Sequence, residues 1–355
     1  MMAEGFGVGI EKIELTLTLF MLGFALGQLF GGPISDNIGR KKTSLLGLIG
    51  FSFFSFMIMF STSLFEIYIL RIAEAFFGGL IVVNANAIAR DMFSGKEAAR
   101  VFTLIGMVRM IAPLIAPAIG AFIIHFYSWQ YIFMFLGIYS LFIAFMVQIN
   151  IKETLVYVKQ SAMQSYISVI THHEAKWLIL LFGLVFSGAF IFISKAAFVY
   201  IVYFGVSTDW FPLFFGADMI FIMIMAKANI KLIQKYKIIS IIKFGIFMQV
   251  LFSIAILLSL ISPNLWVMFL LLTLYLGMLG IVAGNLTALI LEHFPSNSGT
   301  ASATLGVFNV TTGGLISTTV TFFHDGTLNS VAIGIFVTTI LSYYLIYKIY
   351  TAQVG

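Results

Sequence analysis

Residues 32–42 read GPISDNIGRKK and lie in the first break between two long apolar runs of the chain. The break combines a helix-disfavouring Pro-Ser-Asp, a glycine suited to a tight turn and three consecutive cations at positions 40–42. Short turns between segments long enough to span a bilayer are typical of polytopic membrane proteins. Because basic loops stay on the cytoplasmic side, the cations also predict the side on which this loop lies.

The composition of the 355 residues excludes a water-soluble globular fold. Hydrophobic residues make up 61% and charged residues 9% of the chain, whereas soluble domains are usually about 45–50% apolar and about 25% charged. At about 20 apolar residues per span, a chain of this length holds roughly a dozen helices. The net charge of +5 comes from cations in the breaks between apolar runs, so it does not indicate nucleic-acid binding.

Apolar runs bounded by charges and turn residues predict eleven transmembrane helices. The runs are 15–34, 44–61, 67–89, 101–124, 131–149, 177–197, 211–225, 238–261, 265–291, 300–323 and 331–346. Outside the apolar runs, Lys and Arg fall in alternate breaks, together with Lys348 near the end of the chain. The positive-inside rule therefore predicts a cytoplasmic C-terminus, and eleven spans then place the N-terminus outside.

The longest polar break, 151–176, predicts two bundles. Residues 1–150 form the expected N-terminal bundle, 151–176 a cytoplasmic linker and 177–355 the C-terminal bundle. Residues 226–236 occupy in the second half the place of 32–42, and they keep the basic character but lack the Asp and the glycines. Such half-repeats are expected of transporters with pseudo-symmetric bundles.

The spacing G-x-x-x-D-x-x-G-R-K-K in 32–42 resembles the signature loop of the major facilitator superfamily. Four further segments resemble its bicyclomycin-resistance (Bcr/CflA) branch of drug:proton antiporters. They are RIAEAFFGG at 71–79, AIARDMF at 87–93, APLIAPAIG at 112–120 and SWQYIF at 128–133. The resemblance continues into the second half, at 287–303 and 324–327.

This resemblance implies an all-α integral membrane protein with the major facilitator fold and about eleven transmembrane helices, twelve minus the first. It implies export of small, mostly lipophilic drugs across the bacterial inner membrane, by proton-coupled antiport with alternating access. The expected partners are a drug, protons and the lipid bilayer; the chain is expected to be a monomer without cofactor, metal or nucleic acid. An enzyme is not expected, because no nucleophile–base or metal constellation is visible. The alternative is a truncated or mis-started remnant that transports nothing, because the family's first helix carries a coupling carboxylate that no residue here matches.

The signature loop supplies the first candidate site residues. The resemblance implies that Asp36, Gly39, Arg40 and Asp91 form a conformational latch, with Arg40 paired to Asp91 and Asp36 facing the start of the family's eleventh helix. A rim ion pair and a carboxylate at a helix start can be broken by a small rocking motion. The alternative is a plain loop that only sets topology.

Four charged residues inside the apolar runs are candidates for the proton or substrate pathway. They are Arg71, Glu74, Arg109 and Asp218. Charges at membrane depth are costly, so such side chains are expected to be paired or to face a wet cavity. Arg71 and Glu74 stand one helical turn apart and could instead form a local pair that reaches the interface.

The double-proline segment of the fourth run is the last candidate. Pro113 and Pro117 are expected to kink the helix, since neighbouring helices can satisfy the freed carbonyl groups. The resemblance to the antiporter motif implies that Pro113, Pro117 and Gly120 limit leak through the transporter.

Overall fold

The structure, a computed structural model, describes residues 6, 8, 10–155, 162–207, 210–323 and 325–351. Within these ranges it does not describe the side chains at 10–12, 14, 17, 18, 110–114, 117, 118, 121, 162, 163, 350 and 351. The described residues are helical with short connections and contain no β-strand. The all-α fold predicted from the apolar runs and the family resemblance is confirmed.

Eleven helices of 21 residues or more run through the described residues, and each contains or overlaps one predicted apolar run. In chain order the helices are α1 (Ile10–Ile38), α2 (Arg40–Phe60), α3 (Leu64–Met92), α4 (Gly95–Phe126), α5 (Gln130–Asn150), the short α6 (Ala162–Thr171), α7 (Ala175–Ala197), α8 (Phe211–Lys235), α9 (Ile238–Ser259), α10 (Leu265–Glu292), α11 (Ser298–Phe322) and α12 (Asn329–Thr351). A six-residue π-helix, Phe198–Tyr203, continues α7.

Seven helical segments among the described residues are long and apolar enough to cross a membrane. They are Arg40–Met59, Gln130–Asn150, Ala175–Tyr203, Phe211–Lys235, Ile238–Ser259, Leu265–Glu292 and Asn329–Ile349. Helix α3 carries several charges, and α11 is rich in Ser, Thr and Gly, which lowers its hydropathy. Seven such segments identify a multi-pass membrane protein.

By its packing the chain divides into two compact units. The first consists of Met1–Met92, Pro113–Val169 and Phe294–Val307, and the second of Phe93–Ala112, Ile170–His293 and Phe308–Gly355. The units differ from the predicted bundles in two exchanged segments. The beginning of α4 packs within the second unit, and the beginning of α11 packs within the first.

In the first unit, α1 packs against α3 with backbone touching backbone. A Cβ atom at Gly79 of α3 would lie 2.5 Å from the carbonyl oxygen of Phe24 and 2.6 Å from the backbone nitrogen of Gln28. Any larger residue at Gly79 would push the two helices apart, so the glycine is required by the close approach. In the same unit α2 packs against α3 and α5. At the contact between α2 and α5, the Ser140 hydroxyl donates to the carbonyl oxygen of Leu48 at 2.8 Å.

In the second unit, α10 is the central helix, and most of its residues are buried. It approaches α8 as closely as α3 approaches α1, because a Cβ atom at Gly280 would lie 2.7 Å from the backbone nitrogen of Ala226. Tyr275 of α10 shares a 3.1 Å hydrogen bond with Thr339 of α12. Helix α12 also packs against α7 and α9.

Candidate functional site

Arg40, the first residue of α2, is the centre of a buried polar cluster in the first unit. Its guanidinium donates from Nε to Oδ2 of Asp91 at 2.8 Å and from Nη1 to Oδ1 of Asp36 at 2.5 Å. Further donors reach the hydroxyl oxygens of Ser35 at 2.9 Å and Ser298 at 3.0 Å. Two carboxylates share one guanidinium, so the structure brings together three of the four residues proposed for the latch.

Asp36 also caps the start of α11. The backbone nitrogens of Gly299 and Thr300 donate to its carboxylate at 3.1 and 2.8 Å, and the Thr300 hydroxyl donates at 2.5 Å. The first N–H groups of a helix lack intrahelical acceptors, and a carboxylate there is favoured by the helix dipole. Ser298 at the start of α11 donates to Asp91 at 2.8 Å. Asp36, Arg40, Asp91, Ser298 and Thr300 are called the charged junction below.

Gly39 forms the turn that joins α1 to α2, with a φ of 105° that glycine adopts readily. Glu153, in the segment after α5, fills the space beside this turn. Its carboxylate accepts from the backbone nitrogens of Arg40 at 2.8 Å and Lys41 at 3.3 Å, and from those of the next two residues in its own loop at 3.1 and 3.0 Å. Partial burial raises the pKa of Glu153, but the four backbone donors outweigh it and the pKa lies below its usual value.

Asn84 of α3 is fully buried next to the charged junction. Its Nδ2 donates to the Ser44 hydroxyl at 2.5 Å and to the carbonyl oxygen of Arg40, while its Oδ1 accepts from the Ser35 hydroxyl. One amide thus joins α1, α2 and α3. Asn84 is not among the predicted site residues, because its signal in the sequence is no more than a polar side chain inside an apolar run.

A second ion pair lies in α3. Nη1 of Arg71 donates to Oε2 of Glu74 at 2.6 Å, and the Ser55 hydroxyl of α2 donates to Oε1 at 2.6 Å. Glu74 is fully buried. The Arg71 guanidinium carbon lies 4.3 Å from the ring centre of Phe20 and 5.5 Å from that of Phe133. The pair is held in place by stacking as well as by charge.

Asp218 of α8 is fully buried in the second unit. Its Oδ1 accepts from the Thr273 hydroxyl of α10 at 2.5 Å, and its Oδ2 accepts from the Tyr200 hydroxyl at 3.1 Å. Tyr200 belongs to the π-helix, a conformation found often at functional sites. Glu74 accepts from a guanidinium as well as a hydroxyl, whereas the donors described for Asp218 are both neutral hydroxyl groups.

Aromatic rings surround Tyr200 and fix its hydroxyl. The ring centres of Phe192, Phe211, Phe214 and Phe269 lie 6.2, 6.3, 5.3 and 6.3 Å from that of Tyr200. Tilted and edge-on rings at such distances pack favourably. Asp218 is predicted from the sequence but Tyr200 is not, because a π-helix has no recognisable sequence signal.

The second unit contains an uncharged counterpart of the charged junction. Nδ2 of Asn229 in α8 donates to the Thr103 hydroxyl of α4 at 2.9 Å, and Nδ2 of Asn285 in α10 donates to Oδ1 of Asn229 at 2.8 Å. All three side chains are buried. A Cβ atom at Gly284 would lie 2.6 Å from the backbone nitrogen of Thr103 and closer still to its hydroxyl, so α10 and α4 approach each other closely at this glycine. Thr103, Asn229 and Asn285 are called the neutral junction below.

The remaining predicted residues lie on α4. Arg109 is exposed, in the second unit. The side chains of Pro113 and Pro117 lie outside the described residues, although the backbone is helical from Gly95 to Phe126. A Cβ atom at Gly120, in the first unit, would meet no described atom within 4 Å. The function of this motif stays a prediction.

The chemistry available in these clusters is proton exchange and the making and breaking of polar contacts. Hydroxyl, carboxyl and amide groups can each donate or accept. Among the described residues, no three His, Asp or Glu side chains are arranged to hold a metal ion.

Comparison with solved structures identifies the fold. The human organic anion transporter MFSD10 (TETRAN) superposes with a TM-score of 0.76 at 17% identity, over 93% of this chain and 82% of that one. The two chains share a fold.

The sequence then identifies the family: the chain belongs to the Major Facilitator Superfamily, whose family profile matches residues 1–318. The bicyclomycin resistance protein homolog of Haemophilus influenzae is 30% identical over 327 residues, which are 90% of this chain and 82% of that protein. The chloramphenicol resistance protein CraA of Acinetobacter baumannii is 31% identical over 140 residues, 39% of this chain and 33% of that protein. The resemblance to the bicyclomycin-resistance branch is confirmed.

Proposed function

We propose that the protein exports small, mostly lipophilic drugs across the bacterial inner membrane by proton-coupled antiport with alternating access. Its similarity to proteins named for bicyclomycin and chloramphenicol resistance supports the substrate class. The observation that carries proton coupling is the contact set of Asp218, a fully buried carboxylate bonded to the hydroxyls of Tyr200 and Thr273.

Asp218 is suited to take up and release a proton because its partners can adapt to both states. A hydroxyl donates to a carboxylate, and it can instead accept from a protonated carboxylic acid. An uncompensated charge at membrane depth is costly, so a drug or a proton that moves close to Asp218 can change its protonation state. The change requires little rearrangement, because the hydroxyl groups only reorient their hydrogen bonds. Glu74 differs, because Arg71 holds it as a fixed ion pair.

In this proposal the charged junction is the latch of one conformational state. The carboxylate of Asp36 caps α11, and Arg40 links Asp36 to Asp91. These bonds are short, directional and few, so a small rotation of the α11 start breaks them together. The cost of breaking them sets how often the transporter changes state.

The test is drug accumulation in a pump-deficient bacterial host that expresses the 355-residue chain. We expect lower accumulation of chloramphenicol or bicyclomycin, and a protonophore should abolish the difference. Asp218→Asn should remove the protonophore-sensitive part, whereas Asp325→Asn, a matched change in an exposed loop, should not. Accumulation equal to that of cells without the protein would overturn the export proposal and favour the non-transporting alternative.

The orientation is testable in the same cells, since the natural chain has no cysteine. A single cysteine at Gly326, before α12, should react with a membrane-impermeant maleimide from outside. One at Lys235, at the end of α8, should react only after permeabilisation. The reverse pattern would contradict the proposed cytoplasmic C-terminus.

A further inference from the structure

A groove between α9 and α12 lies on the surface of the second unit. Its volume is about 270 Å³, and its lining residues are Lys243, Phe244, Phe247, Tyr343, Ile346 and Tyr347. We propose that this groove binds the headgroup of one anionic phospholipid from the cytoplasmic leaflet. The proposal does not depend on drug export, because lipid binding needs no substrate.

The lining favours a negatively charged headgroup. Lys243 is the charged member of the set, and none of the six lining residues is acidic. Tyr343 and Tyr347 add two phenol groups that can donate to phosphate oxygens. Basic pockets between transmembrane helices on the cytoplasmic side bind anionic headgroups in this way.

The apolar surface below the groove favours a lipid over a soluble anion. Phe247, Leu251, Ile254 and Leu258 are exposed and follow one another at helical spacing along α9. At 1.5 Å per residue this stripe is about 16 Å long. The stripe begins at Phe247, which also lines the groove, and runs toward the far end of α9. An acyl chain can therefore lie along the stripe while its phosphate reaches Lys243.

Cations and an indole mark this end of the unit as the membrane interface. Nζ of Lys176 lies 5.5 Å and Nζ of Lys348 5.6 Å from the ring centre of Trp177 at the start of α7. Trp at the headgroup level and Lys reaching outward are typical of the interface. Lys235 and Lys237 precede α9 at the same end, which the positive-inside rule places in the cytoplasm, where anionic lipids concentrate.

The test is native mass spectrometry of the full chain, purified in detergent and titrated with phosphatidylglycerol or phosphatidylcholine of equal chain length. We expect one tightly bound phosphatidylglycerol and no equivalent phosphatidylcholine. Lys243→Gln should weaken the first binding step about fivefold, the usual effect of one basic residue near an anionic surface. Tyr347→Phe keeps the ring and removes the hydroxyl, so it should weaken phosphatidylglycerol binding less than Lys243→Gln. This variant tests the proposal if Lys243→Gln does not fold.

Lys231→Gln is the matched control, since it removes the same charge from an exposed position on α8. Equal losses for Lys243→Gln and Lys231→Gln would overturn the proposal, because binding would then reflect the overall charge. Equal affinity for the two lipids would also overturn it. Displacement by millimolar inorganic phosphate would instead define an anion site without lipid specificity.

Discussion

The two units bury polar groups with different chemistry. In the first unit the carboxylates of Asp36, Asp91 and Glu74 each meet a guanidinium. In the second unit Asp218 meets hydroxyl groups, and the neutral junction is built from amides and a hydroxyl. An ion pair keeps its charges fixed, whereas a carboxylate among hydroxyls can change protonation. We infer that the first unit supplies mechanical closure and the second takes up the proton.

This difference is built on equivalent helical frames. Gly79 of α3 and Gly280 of α10 make the close contacts with α1 and α8. Five residues further along their helices stand Asn84 and Asn285, both fully buried. The two units therefore share a glycine and an amide at corresponding positions. The difference lies in their surroundings. Asn84 lies next to the charged junction, whereas the described hydrogen-bond partners of Asn285 are neutral.

The largest effect should come from removing the shared guanidinium of the charged junction. Arg40→Gln leaves the carboxylates of Asp36 and Asp91 buried without a cation, which should destabilise the protein by about 3–5 kcal/mol and abolish transport. Arg40→Lys keeps the charge but loses the fork geometry, so its loss should be intermediate. The measurement is thermal unfolding of the purified protein in detergent.

Lys42→Gln is the control, because Lys42 is an exposed cation two residues along the same helix. Its effect should stay within about 0.5 kcal/mol. If Arg40→Gln unfolds at the same temperature as Lys42→Gln, the charged junction does not hold the first unit together.

A matched pair of amide substitutions sharpens the comparison. Glu74→Gln leaves the guanidinium of Arg71 without its carboxylate, and we expect a loss of about 3 kcal/mol. Asp218→Asn keeps groups that can bond to both hydroxyls, so its loss should be about 1 kcal/mol. The effect on transport should not follow the effect on stability, because Asp218→Asn should abolish proton coupling even though the protein is folded. Equal destabilisation by both changes would contradict the division into fixed and titratable carboxylates.

A steric change should affect both junctions alike. A Cβ atom at Gly32 would lie 2.7 Å from the carbonyl oxygen of Gly299, and one at Gly284 would lie 2.6 Å from the backbone nitrogen of Thr103. Gly32→Ala and Gly284→Ala should each cost about 1–3 kcal/mol by overpacking. Gly314→Ala, where a Cβ atom meets no described atom within 4 Å, should instead stabilise α11 by about 0.5–1 kcal/mol. A large loss at only one junction would show that the two contacts are not equivalent.

Sequence predicted the parts of the site that are local and charged. Asp36 and Arg40 stand one turn apart across Gly39, so their loop was recognisable. The partners of this loop at Glu153 and Ser298 are 113 and 258 residues away from Arg40, and no local pattern reveals them. Threonine and asparagine are ordinary residues in transporters, so no motif in the sequence indicates that the residues of the neutral junction lie together.

The structure also extends helices beyond the ends predicted from hydropathy, for a physical reason. The seventh apolar run stops at residue 225, whereas α8 continues to Lys235. Hydropathy marks the edge of the hydrocarbon, but backbone hydrogen bonding continues into the interface, where Lys227 and Lys231 are solvated. Asn229, the centre of the neutral junction, lies in this unpredicted part of the helix.

The smallest expected effect is the dependence of stability on pH. The two units should lose stability in different pH ranges. His293, just after α10 in the second unit, has a lowered pKa because of burial and the neighbouring ring of His172, although Glu174 and Glu292 oppose the shift. Glu153 in the first unit also has a lowered pKa, because backbone N–H groups bind its charged form. Each group therefore stabilises the folded state above its unfolded pKa and loses this as pH falls.

The unfolded pKa values are about 6.5 for His and about 4.3 for Glu, so the losses begin at different pH. Between pH 7.5 and 5.5 only the His293 contribution should decline, and the unfolding temperature should fall slightly. His293→Gln should remove this decline, whereas His173→Gln, an exposed neighbour of His172, should keep it. If the decline survives His293→Gln, another group titrates in this range, and Asp218→Asn in the same assay tests whether that group is Asp218, whose hydroxyl partners permit protonation.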